Sequence, residues 1–184
     1  MKLLLIFFTF SLSGITYANN INMQCNIKSF AFIAMEDGKP SVDYSTLKGK
    51  NIDIFIDSTD RRILYRAEVN HTIGSLIGFE HHISLNSDYD WIEKRIFKDK
   101  VEIVRHLNDQ YQVIKITNDS IDIKNFAQWN FGWLDKSFRL QRYYKNDWQG
   151  TYISHIGESP AIFGLNCRSK SSDVDDFIQF MQKN

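Results

Sequence analysis

Glu80, His81 and His82 stand side by side in the run Ile77–Leu85. Carboxylates and imidazoles are the side chains that most readily move protons or hold metal ions. On a β-strand, however, neighbouring residues face opposite ways, so the two imidazoles cannot share one ion, whereas Glu80 and His82 share a face. A metal site would need a further ligand from His71, His106 or His155, and no zinc-type spacing links them. The expectation is therefore no metal and no cofactor, with one histidine packed beside Phe79 and Ile83 and the other solvated. A hydrolase built on Glu80, His82 and His106 or His155 is the remote enzymatic alternative. No G-x-S-x-G elbow, H-E-x-x-H pair or phosphate loop is present, so no catalytic residue is assigned and the reading leans away from an enzyme.

Two aromatic groups carry binding chemistry instead. Trp129, Phe131 and Trp133 alternate with Asn130 and Gly132, which on one strand would set three rings on one face as the wall of an apolar pocket or simply as core. Tyr143, Tyr144 and Trp148 gather at a strand end beside Arg139 and Arg142. Tyr, Trp and Arg are enriched in protein-binding hot spots, so this group is the expected exposed recognition surface.

The remaining reactive side chains are Cys25 and Cys167. No Cys-x-x-Cys pair exists, and neither thiol lies where a low pKa would be expected. In an oxidising compartment the two should pair as a structural disulfide. The start of the chain predicts such a compartment. Lys2 precedes the apolar run Leu3–Leu12, and Thr16-Tyr17-Ala18 offers small residues where a signal peptidase cuts. Residues 1–18 are read as a cleaved signal peptide and the product as exported, periplasmic or extracellular. The apolar run is shorter than the ~20 residues that span a bilayer, so no membrane span is expected after cleavage. With 22 basic and 22 acidic residues the chain has no net charge, which excludes a nucleic-acid binder held by a broad basic surface.

The elements that must position these residues follow from hydrophobic period. Ile52, Ile54 and Ile56 alternate with polar neighbours, as do Ile63, Tyr65, Ala67 and Val69. Val101–Leu107, Tyr111–Thr117 and Ser120–Phe126 are β-rich runs separated by Asn/Asp turns, which predicts an antiparallel meander. Asp135-Lys136 reads as a turn into Phe138–Tyr144, and Lys145–Gly150 as another. Thr151–Ile156 and Ala161–Arg168 complete the strands. The first strand is placed at Met23–Ala34, with a bulge where its phase shifts near Ser29. Met35–Lys50 reads as a long loop, and Asp90–Phe97 as a short helix. Val174, Phe177, Ile178 and Met181 then recur at helical spacing, with Ser172 and Asp175 as a capping pair.

These readings predict a mainly β fold, an antiparallel up-and-down barrel or sandwich of about 9–11 strands. A disulfide closes it where the first and last strands meet. The β-rich domain covers residues 19–170, and a helix over 171–184 packs on it. The tail FRLQRYYKNDWQGTYISHIGESPAIFGLNCR with the early MQCNIKSF resembles a loose class of small bacterial exported β-proteins, which offers no catalytic residue to transfer. A helix after a meander is also similar in layout to lipocalin-type barrels, although their Gly-x-Trp signature is missing. The function expected is a non-enzymatic binding module, inhibitor-like or immunity-like, whose partner is a protein. The alternative is a barrel carrier of a small apolar ligand.

Overall fold

The computed structural model describes residues 19–32, 47–59, 62–69, 79–85, 91–107, 110–129, 132–156, 159–169 and 171–184. The signal-peptide reading, residues 33–34 of the expected first strand, residues 35–46 of the expected long loop, His71 and Phe131 lie outside them. Among the described residues eleven strands are present: β1 Asn20–Phe32, β2 Asn51–Thr59, β3 Arg62–Val69, β4 Phe79–Ser84, β5 Trp91–Phe97, β6 Lys100–Leu107, β7 Gln110–Thr117, β8 Ser120–Trp129, β9 Gly132–Tyr144, β10 Asp147–Ile156 and β11 Ser159–Ser169. One helix, α1 Ser171–Lys183, follows.

All eleven strands belong to one antiparallel sheet in the order β4-β3-β2-β1-β11-β10-β9-β8-β7-β6-β5. Two hairpin meanders, β1–β4 and β5–β11, are thus joined edge to edge by the β1–β11 pair. Ten antiparallel steps separate β4 from β5, so these edge strands run in the same direction. The sheet curls into a half-barrel rather than splitting into a sandwich. Helix α1 touches β1 on one side and β5, β6 and β7 on the other. Those strands lie five or more steps apart, roughly 24 Å on a flat sheet, which exceeds the width of a helix. Only curvature lets one helix reach both.

The inner face is built in tiers of directly opposed residues. Ile103, Ile114, Ile123, Phe138, Tyr152, Phe163 and Phe30 form one tier across seven strands. Val101, Ile116, Ile121, Leu140, Gly150, Leu165 and Ile27 form the next. Nearly all are fully buried, because every second residue of each strand points inward. At Gly150 a Cβ would collide with the backbone carbonyl of Arg139, so only glycine fits that tier.

Cys25 and Cys167 are opposed across β1 and β11, with Cα atoms 3.8 Å apart, and form the disulfide on the inner face. The register slips between Ile27 and Ser29, which is the expected bulge. Val174, Phe177, Ile178 and Met181 of α1 are buried against the core. The helix begins at Ser171, where the 171–184 reading starts it, so Ser172 is an exposed member of its first turn rather than the cap before it.

Three local readings are corrected. Residues 91–97 are strand β5, not a helix. Ile92 and Ile96 pack on the core, and pairing with β6 outweighs the polar local composition. Asp135-Lys136 is no turn, because β9 runs unbroken through it. The turn after β9 is only Lys145-Asn146, with Lys145 at φ 34° in the left-handed region.

Candidate functional site

The inner face is not uniformly apolar. One tier beyond Ile103 and Phe138, the opposed residues are Arg105, Gln112, Asn125, Lys136 and Ser154 on β6 to β10. Arg105 Nη1 donates to Gln112 Oε1 at 3.0 Å, and Gln112 Nε2 donates to Asn125 Oδ1 at 3.1 Å. Gln112, Asn125, Lys136 and Ser154 are all buried. Burial holds the Lys136 ammonium below the usual lysine range. On β3, burial pushes the Tyr65 hydroxyl well above the tyrosine range, opposed by the positive charge of Arg105. That electrostatic reach from β6 to β3 again reflects the curl of the sheet. Burial likewise raises the Tyr152 hydroxyl, and its hydrogen bond with Ser154 opposes the shift.

A second mixed cluster lies at the other end of the interior, beneath α1. The Arg142 guanidinium stands over the Trp148 ring, 4.8 Å from its centroid. Its Nη2 lies 3.7 Å from Asp175 Oδ1 of α1, an ion pair too long to be a hydrogen bond. Trp148 Nε1 donates to Ser169 Oγ at 2.9 Å.

This placement divides the expected recognition surface. Trp148 is 0% exposed and Arg142 is half-buried on the inner face, because both fall on the inward phase of their strands. Neither belongs to the outside. Tyr143 and Tyr144, each 60% exposed, do. Arg139 is also outside, paired with Asp122 at 3.1 Å. It belongs to an alternating-charge row, Arg139, Asp122, Lys115, Glu102 and Arg95, whose members are directly opposed from β9 to β5. Beside that row Lys100 pairs with Glu102 and, chiefly by hydrogen bonding, holds its carboxyl below the usual range. Opposite charges facing each other across strands stabilise the sheet itself.

The expected aromatic wall also changes. Trp129 ends β8 and Trp133 is the second residue of β9, so the hairpin between them breaks the single-strand alternation that would have set them on one face. In the ladder Trp129 opposes Gly132, and Trp133 opposes Gln128. His82 lies on β4 and His106 on β6, near opposite ends of the strand order. His106 packs against Tyr111, with ring centroids 5.0 Å apart. Among the described residues, no three His, Cys, Asp or Glu side chains are grouped to hold a metal ion.

Two open grooves mark the outer face. One of about 800 Å³ runs over β1–β3 to the start of α1, lined by Asn22, Gln24, Asp53, Arg66, Glu68 and Asp173 among others. Arg66 in it lies over the Phe55 ring at 4.8 Å. The other, about 300 Å³, lies between Asn26, Asn51, Asn166 and Tyr143. Sequence reading missed both, because their walls come from strands that neighbour each other only after β1 meets β11. No protein-family model, curated protein or solved structure matches the chain.

Proposed function

We propose that the chain is an exported, non-enzymatic binding module that engages its partner through the outer surface of β1–β3 and β9–β11. This is the mode of inhibitor-like or immunity-like proteins. The observation that carries the reading is the contrast between the two faces. The inner face carries the buried core, with α1 packed on it, while the outer face offers grooves and two exposed tyrosines. The disulfide supports an oxidising compartment, and export is the economical way to reach one.

A second reading, a carrier of a small apolar ligand, is favoured by one feature only. The inward polar tier around Arg105 and Lys136 would meet the head group of a ligand entering from that end.

Native mass spectrometry of the protein purified from its own culture separates the two. A bare mass, together with partner capture that Tyr143→Ala weakens, fits the surface module. A stoichiometric small molecule that leaves on denaturation would replace it with the carrier.

A further inference from the structure

We propose that a row of five amide side chains on the outer face is a platform for an uncharged, extended polysaccharide strand lying across the β-strands. The inference rests on the outer-surface reading above and puts a glycan, in place of a protein, as what that surface binds. Asn51, Asn26, Asn166, Gln149 and Gln141 are directly opposed on β2, β1, β11, β10 and β9. All five fall on the outward phase, and Asn51, Asn166, Gln149 and Gln141 are exposed. Opposed positions on neighbouring strands are about 4.8 Å apart, so the row spans roughly 19 Å. An extended β-linked pyranose chain advances by nearly the same distance per sugar, which lets one amide serve each ring.

The chemistry matches at each position. An amide carries a donor and an acceptor side by side, the complement of a vicinal hydroxyl pair or an N-acetyl group. Asn26 is fixed by donating to Gly49 O at 3.1 Å and Asn51 Oδ1 at 3.4 Å. The amides of Asn166, Gln149 and Gln141 make no hydrogen bond to any described residue, so they are not consumed by an internal ladder. Tyr143, two residues beyond Gln141 on β9, lines the same groove as Asn26, Asn51 and Asn166 and offers an aromatic face for a sugar ring.

Charge and backbone exclude the rival occupants. The flanking row Asp53, Gln24, Arg168 and Asp147 carries both signs, with Arg168 near Asp147 at 3.9 Å, so neither a polyanion nor a polycation is favoured. On the opposite flank Thr151 is uncharged, the Ser29 hydroxyl lies over Gly164, and Arg139, opposed to Thr151, is paired with Asp122. A peptide adding as an extra strand needs a free sheet edge, and all five strands of the row are paired on both sides.

Titration calorimetry tests this on the full, disulfide-bonded chain. The probes are β-1,4-linked N-acetylglucosamine and glucose oligomers of two to six sugars. Affinity in at least one series is expected to climb with length and level off at about five sugars, one per strand crossed. Gln149→Thr with Asn166→Thr should weaken it roughly tenfold or more, and Tyr143→Ala similarly, whereas Lys94→Ala on remote β5 should not. If the threonine pair misfolds by circular dichroism, Gln149→Glu with Asn166→Asp keeps the shape and makes the same test. No binding in either series, affinity independent of length, or binding indifferent to the row variants overturns the proposal. Photo-cross-linking from position 149 in the native culture separates the two levels of inference. A protein captured there in place of glycan removes the polysaccharide and leaves the surface module standing. Capture of neither removes both.

Discussion

The indole nitrogen of Trp148 donates a hydrogen bond to the hydroxyl of Ser169 at 2.9 Å, with both side chains buried. The pair joins β10 to the last residue of β11, next to the disulfide and beneath α1. Ser169→Ala would leave a buried donor without its acceptor, a loss of about 1–3 kcal/mol. We expect a lower urea midpoint with an unchanged m value. Adding Trp148→Phe should cost less in the Ser169→Ala background than alone, because the hydrogen bond is already gone.

Replacing Cys25 and Cys167 together by alanine should destabilise the domain by about 2–5 kcal/mol, because the bridge closes a loop spanning 142 positions. The variant should still give a β-type circular dichroism spectrum. Denaturant unfolding of the oxidised protein, the reduced protein and the double variant checks this. Equal midpoints for all three would contradict it.

Stability should rise and then fall as the solution becomes alkaline. The Lys136 value is depressed by burial below its ordinary 10.5. Between those two values the unfolded chain holds a proton that the native chain has released, so stability increases with pH there. Tyr65 and Tyr152 shift the other way, upward from 10.0. Above that pH the unfolded chain loses phenolic protons that the native chain keeps, and stability declines. Denaturation midpoints from pH 7 to 11 should trace this shape, and Lys136→Met should flatten the rising limb.

Gly150→Ala should abolish soluble folding or sharply lower the melting temperature, because the new methyl meets the Arg139 carbonyl with no flexible side chain to yield. Phe177→Ala tests the helix. Its fully buried ring seats α1 on the sheet, and removing it should cost about 3–5 kcal/mol. Thermal unfolding monitored by circular dichroism measures both.

Much of the scaffold was legible because alternation survives burial. The Ile52–Ile56 and Ile63–Ala67 patterns, the three-strand meander after Lys100, the bulge near Ser29 and the helical spacing of Val174, Phe177, Ile178 and Met181 all appear in the structure. Local composition misled where tertiary pairing overrode it. Residues 91–97 look helical alone but are held by β6, and Asp135-Lys136 looks like a turn but sits in a long strand. The recognition group failed at Arg142 and Trp148 for a different reason. Residue type says what a side chain can bind, whereas strand phase decides whether anything can reach it. The amide row was illegible because its members come from five separate stretches of sequence and meet only through register.

Because the two meanders meet only along β1 and β11, the opening strand has no partner on that side until the closing one has been made. A chain cut short before Ser159 would bare two further sheet margins besides β4 and β5, namely β1 on one ribbon and β10 on the other, each a template for a neighbouring molecule to zip onto. Nascent or truncated copies should therefore clump or need a holdase. The covalent staple then acts as a late latch, sealing a seam that spans almost the whole length of the polypeptide.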